Sequence, residues 1–201
     1  MNSSDFPVAL VTGANGGIGK VICKELLSSG YRVILSFRKS ERAVAFYNSL
    51  LQEYGAERIG CLEMDLSSVT SITEAVCVLM EKEQRLDVLV NNAGMLGYNM
   101  QVSAEGYEMH NMVNCLGPML FTRLVKPLMH RGSRVVTTVS LALYYGSIPE
   151  NFPYPHARFN RFRQYACSKL ALTLLCLRLA ELWKEEGITV NMADPGIVDT
   201  P

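Results

Sequence analysis

The chain contains no run of about 18 uncharged apolar residues, so it encodes no membrane-spanning helix. Its first residues, Met-Asn-Ser-Ser-Asp-Phe-Pro, lack the basic start and apolar stretch of a secretory signal. Neither sign of charge is in excess: 19 Lys and Arg stand against 19 Asp and Glu. That balance excludes both a broadly basic nucleic-acid-binding surface and a disordered acidic chain. The six cysteines, Cys23, Cys61, Cys77, Cys115, Cys167 and Cys176, make no CxxC pair, and most sit within apolar patterns. Buried reduced thiols of a cytoplasmic protein are expected rather than a disulfide framework. His110, His130 and His156 lie too far apart in sequence to suggest a metal site. Internal repeats and low-complexity linkers are missing too. The 201 residues, 49% of them hydrophobic, therefore read as one domain over 1–201.

What is present is an alternation of short apolar runs with longer helix-period stretches. The runs Val8–Val11, Arg32–Phe37, Ile59–Leu62, Leu86–Val90, Arg134–Val139 and Ile188–Met192 are apolar on both faces, as strands buried in a parallel sheet are. Helical periodicity fills 17–29, 40–54, 68–84, 104–130 and 164–186. This order predicts an α/β fold with a doubly wound parallel sheet. Residues 141–163, rich in aromatics and proline, break the rhythm and read as a long irregular loop.

Glycines punctuate the first strand–helix junction, in Val-Thr-Gly-Ala-Asn-Gly-Gly-Ile-Gly-Lys from Val11 to Lys20. Gly13 allows a sharp turn, Gly17 lets a phosphate approach the backbone, and Gly19 lets helix and strand pack closely. The helix N-terminus offers unpaired N–H groups and a positive dipole end to a pyrophosphate. Sites that prefer NAD place a carboxylate after the second strand. Here that strand runs into Arg38 and Lys39 with no carboxylate, which favours the 2′-phosphate of NADP.

Tyr165 and Lys169 form a YxxxK pair at the start of an apolar helical stretch, and residues four apart share one helix face. Reducing a ketone needs a hydride from a nicotinamide and a proton for the developing alkoxide. A tyrosine becomes competent for that proton when an adjacent ammonium favours its phenolate. Ser140 follows the fifth main strand, at the sheet edge where α/β folds place ligands, and its hydroxyl could stabilise charge on a substrate oxygen. Thr137 and Thr138 compete for that role. Asn114 lies within a helical stretch, where asparagine is not favoured; satisfying local backbone groups is the plain alternative.

The TGxxxGxG spacing from Thr12 to Gly19, Asn91-Asn92-Ala93-Gly94, Ser140, the Tyr165/Lys169 pair and Pro195-Gly196 occur in the order found in the short-chain dehydrogenase/reductase family, which the chain resembles from Val8 to Thr200. The resemblance implies a Rossmann-type fold that binds NAD or NADP and a catalytic tetrad of Asn114, Ser140, Tyr165 and Lys169. By the same resemblance, Gly13, Asn15, Gly16, Gly17, Ile18 and Gly19 cradle the cofactor phosphates, with Arg38 and Lys39 at the ribose. Asp65 and Leu66 border the adenine; taken alone, Asp65 reads as a helix cap, since Ser67 and Ser68 follow it. Asn92, Ala93 and Gly94 allow close approach, Tyr165 and Lys169 meet the nicotinamide ribose, and Pro195, Gly196, Val198 and Thr200 meet its carboxamide. Metal ions have no part in this chemistry.

The stretches Val113–Met129 and Tyr165–Glu181 look most like the retinol dehydrogenase-like and carbonyl reductase branch, which implies a lipophilic alcohol or carbonyl substrate. Ser140, Tyr144, Tyr145 and Phe152 are the candidates to contact it, with the irregular loop as a roof. Arg158, Arg161 and Arg163 in that loop read as solvated. Family members usually continue beyond this point with a seventh strand and a last helix. A strand edge left bare there would be covered by further chain or by another copy in a homo-oligomer. The competing expectation is an NADP(H)-binding sensor or interaction module with little turnover.

Overall fold

The computed structural model describes residues 6–155, 158–196 and 198. Six strands form one parallel sheet: β1 (Val8–Thr12), β2 (Arg32–Phe37), β3 (Ile59–Glu63), β4 (Val88–Asn91), β5 (Arg134–Thr138) and β6 (Thr189–Ala193). Their spatial order is β3-β2-β1-β4-β5-β6, the Rossmann order in which the winding reverses between β1 and β4. Register follows the apolar runs, with Leu10 opposite Ile34 on one side and Leu89 on the other. All five residues of β1 are buried, as an inner strand covered on both faces requires.

Alternate side chains of that strand feed two cores. Ala9 and Val11 join Cys23 and Leu27 of α1 (Gly17–Ser28) and Phe46 and Leu50 of α2 (Glu41–Tyr54). Val8 and Leu10 face the other way, toward Ile72 and Leu79 of α3 (Val69–Lys82) and Leu172, Cys176 and Trp183 of α6 (Arg161–Trp183). No helix among the described residues is long and apolar enough to cross a membrane.

The expected helix 104–130 is instead a composite. Val102 bridges Glu108 in antiparallel fashion, and Gly106 between them has φ +88°. The Glu108 side chain then caps a short α4 (Met109–Asn111) by accepting from Asn111 N. A π-helical segment, Met112–Leu116, widens the coil before α5 (Gly117–Leu124). Hydrophobic periodicity alone does not mark this short widened turn off from the helical stretches on either side. The last expected helix begins earlier, at Arg161, because the Asn160 side chain accepts from Arg163 N. The irregular loop is correspondingly shorter and opens with a 3₁₀ turn, Leu141–Tyr145.

The cysteine expectation needs correction as well. Cys23, Cys115, Cys167 and Cys176 are buried free thiols, but Cys61 and Cys77 are exposed. Cys61 lies on β3, an edge strand whose outward positions meet solvent.

Candidate active site

The site grows from the carboxyl ends of β1, β4 and β5, where the winding reverses. Gly13 turns the chain at φ +63°. A Cβ there would sit 2.9 Å from Ala93 Cα, and one on Gly19 would sit 2.2 Å from Gly13 O, so the loop closes only with bare backbone. Gly16 precedes α1 in extended conformation with no side-chain cap. The first helical bond is Lys20 N to Gly16 O, 3.0 Å. The amides of Gly17, Ile18 and Gly19 therefore remain open at the positive end of a 12-residue helix.

These amides face a cleft of about 980 Å³ that Asn15, Gly16, Arg38, Lys39, Asp65, Leu66, Asn92, Ala93 and Gly94 also line. Arg42, from the first turn of α2, joins the two expected cations on that wall; its position four residues beyond Arg38 was the available signal. Asp65 does not cap α3, a task that falls to Ser68. Its carboxylate instead accepts from Ser67 N at 2.8 Å and Ser67 Oγ at 2.7 Å, which stiffens the turn along the cleft.

Thr12 escaped the sequence reading of site residues although it is the first letter of the glycine motif. Its buried Oγ1 accepts from Asn92 N at 3.0 Å and Ala93 N at 3.1 Å, and Asn92 Nδ2 donates back to Thr12 O at 3.1 Å. This clasp joins the ends of β1 and β4 beneath the cleft.

Asn114 lies in the π-helical segment and is 1% exposed. Its Nδ2 donates to Met95 O and to Ser168 Oγ, both at 3.0 Å, and its Oδ1 accepts from Met95 N at 2.7 Å. Ser168 and Met95 are further site residues that sequence reasoning missed. Gly94 lies against Asn114 and Lys169: a Cβ there would be 3.3 Å from Asn114 Oδ1 and 3.7 Å from Lys169 Nζ.

Lys169 is 3% exposed. Its Nζ donates to Thr138 O at 2.8 Å, at the end of β5, and lies 5.7 Å from the centre of the Tyr165 ring one helical turn away. Burial pushes this ammonium down from 10.5 to about 8. Tyr165 is half-buried. Ser140 follows β5, where its Oγ accepts from Ala142 N at 3.2 Å. Asp194, just past β6, ties down the same turn by accepting from Leu141 N at 2.6 Å, and its other oxygen accepts from Gly196 N at 2.8 Å.

A family model described as short chain dehydrogenase matches residues 7–201. The chain belongs to that family.

Among relatives of this short chain dehydrogenase, mouse polyprenol dehydrogenase is 35% identical over 201 residues, covering 96% of this chain and 60% of the relative. Human retinol dehydrogenase 13 is 34% identical, covering 95% and 59%. The chain thus spans about three fifths of the length of the curated relatives it matches. Among solved structures, a short chain dehydrogenase from Burkholderia cenocepacia in complex with NADP superposes with a TM-score of 0.78 at 28% identity, covering 96% of this chain and 75% of that one.

Other expected positions of this short chain dehydrogenase fall less centrally. Tyr144 and Tyr145 are exposed beyond Ser140, while Phe152 is half-buried against the α3–α6 core. Arg161 stacks over Tyr98 at 4.3 Å and over Phe162 at 4.4 Å. Pro195, Gly196 and Val198 are exposed, and Thr200 lies outside the described residues. The Lys169 ammonium and Ser140 both lie at the carboxyl end of β5, and the Tyr165 phenol lies one helical turn from that ammonium. Such a set can stabilise an oxyanion and move one proton.

Proposed function

We propose that this chain is an NADP-dependent oxidoreductase acting on lipophilic alcohols or carbonyl compounds, with Tyr165 as the acid/base group. The observation that carries the reading is Lys169, a buried ammonium one helical turn from Tyr165, beside the glycine cleft.

The residues of the cleft fit a dinucleotide. The open amides of Gly17, Ile18 and Gly19 suit a pyrophosphate, and Arg38, Lys39 and Arg42 supply positive charge for a 2′-phosphate. Asp65 and Leu66 would border the adenine, and the bare backbone of Gly94 would admit the ribose beside Lys169. Pro195, Gly196, Val198 and Thr200 are the candidates for the carboxamide. When bound, the nicotinamide supplies or accepts the hydride. Ser140 donates a hydrogen bond to the substrate oxygen, and Tyr165 gives that oxygen its proton in reduction or takes it in oxidation. The Lys169 ammonium stabilises negative charge on the phenol oxygen. Asn114 holds the 95 segment against the helix that carries both groups.

The NADP-bound neighbour supports the cofactor, and relatives named for polyprenol and retinol support the lipophilic substrate class. Exposed Tyr144 and Tyr145 beside Ser140 suit such a substrate.

The test is to follow NADPH absorbance with a panel of long-chain aldehydes, ketones and allylic alcohols. Turnover is expected, with Tyr165→Phe lowering kcat by about 100-fold or more and leaving cofactor affinity within about two-fold. Tight NADPH binding without turnover on the whole panel would overturn the enzyme reading in favour of a sensor.

A further inference from the structure

Glu108 and His110 stand outside the groups that carry the proposed chemistry, yet both are 0% exposed. His110 Nδ1 lies 2.7 Å from Glu108 Oε1, and Gly97 N donates to His110 Nε2 at 3.0 Å. A backbone amide can only donate. Nε2 is therefore the lone-pair nitrogen, Nδ1 carries the proton toward the carboxylate, and the imidazole is held neutral in one tautomer.

The pair sits where three segments meet. The second Glu108 oxygen accepts from Asn111 N at 3.0 Å, at the start of the coil that leads to Asn114. The Glu108 amide donates to Pro153 O at 3.0 Å, and Asn111 Nδ2 donates to the same carbonyl at 3.1 Å, which anchors the loop beyond Ser140. On the other side, Gly97 comes two residues after Met95, whose N–H and C=O are both bonded to Asn114. The 94–97 segment thus has two pins. One is Asn114, a member of the proposed machinery. The other is His110, which touches no reacting group.

We propose that His110 is a positioning residue for the reaction. As the neutral Nδ1–H tautomer it fixes Gly97, and so keeps Gly94 and Met95 in register with Asn114 and Lys169 at the nicotinamide end of the cleft. This rests on the oxidoreductase reading above. Removing the pin lets the 94–97 segment shift, and sub-ångström errors near reacting atoms reduce the chemical step more than they reduce binding. The phosphate amides of α1 and the Arg38–Arg42 wall, backed by the α1–α2 core, stay intact.

The experiment uses His110→Phe, which fills the space but offers Gly97 no acceptor, and His110→Gln, which restores one. In His110→Phe, kcat is expected to fall by about ten-fold or more, while KM and the NADP dissociation constant stay within about three-fold. His110→Gln recovers most of kcat. Two measurements do not need turnover. Ring nitrogen shifts should report the Nδ1–H tautomer, and hydrogen exchange at the Gly97 amide should be slow in the wild type and His110→Gln but fast in His110→Phe. An Nε2–H tautomer overturns the proposal, as does a wild-type kcat in His110→Phe once Gly97 exchanges freely. If His110→Phe does not fold, Gly97→Pro removes the donor and leaves the buried pair in place. It should show the same loss of kcat, and a wild-type rate there refutes the positioning role. If the wild type binds NADP but turns nothing over, the oxidoreductase reading fails, and the tautomer and exchange data still decide whether His110 holds the segment.

Discussion

Arg42 shows how a single side chain extends a motif. Arg38 and Lys39 follow β2 directly, whereas Arg42 reaches the same wall of the cleft from the first turn of α2. A phosphate there would draw charge-assisted hydrogen bonds worth about 1.5–3 kcal/mol each before salt screening. Arg42→Ala is therefore expected to weaken NADP binding by about ten-fold at low salt and NAD binding by less than about two-fold. Titrating both cofactors against intrinsic fluorescence checks this; equal losses for the two would remove Arg42 from the 2′-phosphate site. Arg38→Ala belongs in the same series as the residue that the strand end alone picks out.

At the scale of elements, the glycine loop and the composite helix make opposite lessons. The loop is tight because its backbone crosses itself: a Cβ on Gly19 would meet Gly13 O at 2.2 Å and Ala14 Cα at 2.9 Å. Gly19→Ala forces a shift of the kind that costs about 1–3 kcal/mol in a well-packed site. It should lower the melting temperature and weaken dinucleotide binding by at least about ten-fold, since the same backbone presents the phosphate amides; a normal melt with normal affinity contradicts the loop geometry. That element was legible, because glycine spacing and flanking apolar runs encode it locally. So were the six strands, each a short, mainly apolar run between helical stretches. The π-helical segment around Asn114 was not, because its cause is tertiary. Asn114 bonds to Met95 and Ser168, residues 19 and 54 positions away, and no local pattern announces those partners. Tyr165, Lys169 and Ser140 were found by spacing and strand position. Thr12, Ser168 and the Glu108–His110 pair were not singled out, because each acts through a hydrogen bond whose partner is distant in sequence or whose burial only the fold reveals.

At the scale of the whole molecule, buried thiols tie stability to pH. Burial pushes Cys23 and Cys115 up to about 12 and Cys167 up to about 11, from 9.0. The folded chain keeps protons that the unfolded chain releases above pH 9. This contribution is thus fully present below pH 9 and is lost as pH rises toward 11–12. Lys169 acts in the opposite sense between about 8 and 10.5, so one thiol is best isolated by difference. In urea unfolding, the wild type should lose about 1.4 kcal/mol more than Cys23→Ala between pH 7 and pH 10. Parallel pH profiles would contradict the burial of that thiol in a low-dielectric core.

The alternation along β1 carries one more consequence. Ala9 and Val11 pack with α1 and α2, which present the phosphate amides and the cations, while Leu10 packs with the layer that includes α6, the carrier of Tyr165 and Lys169. Cofactor choice and chemistry are therefore underwritten by different sets of core residues that share one strand only back to back. Mutations that loosen one layer can change which dinucleotide is held without disturbing the proton-transfer groups. Drift in the other layer can retune those groups while the amides and cations that hold the phosphates are unchanged.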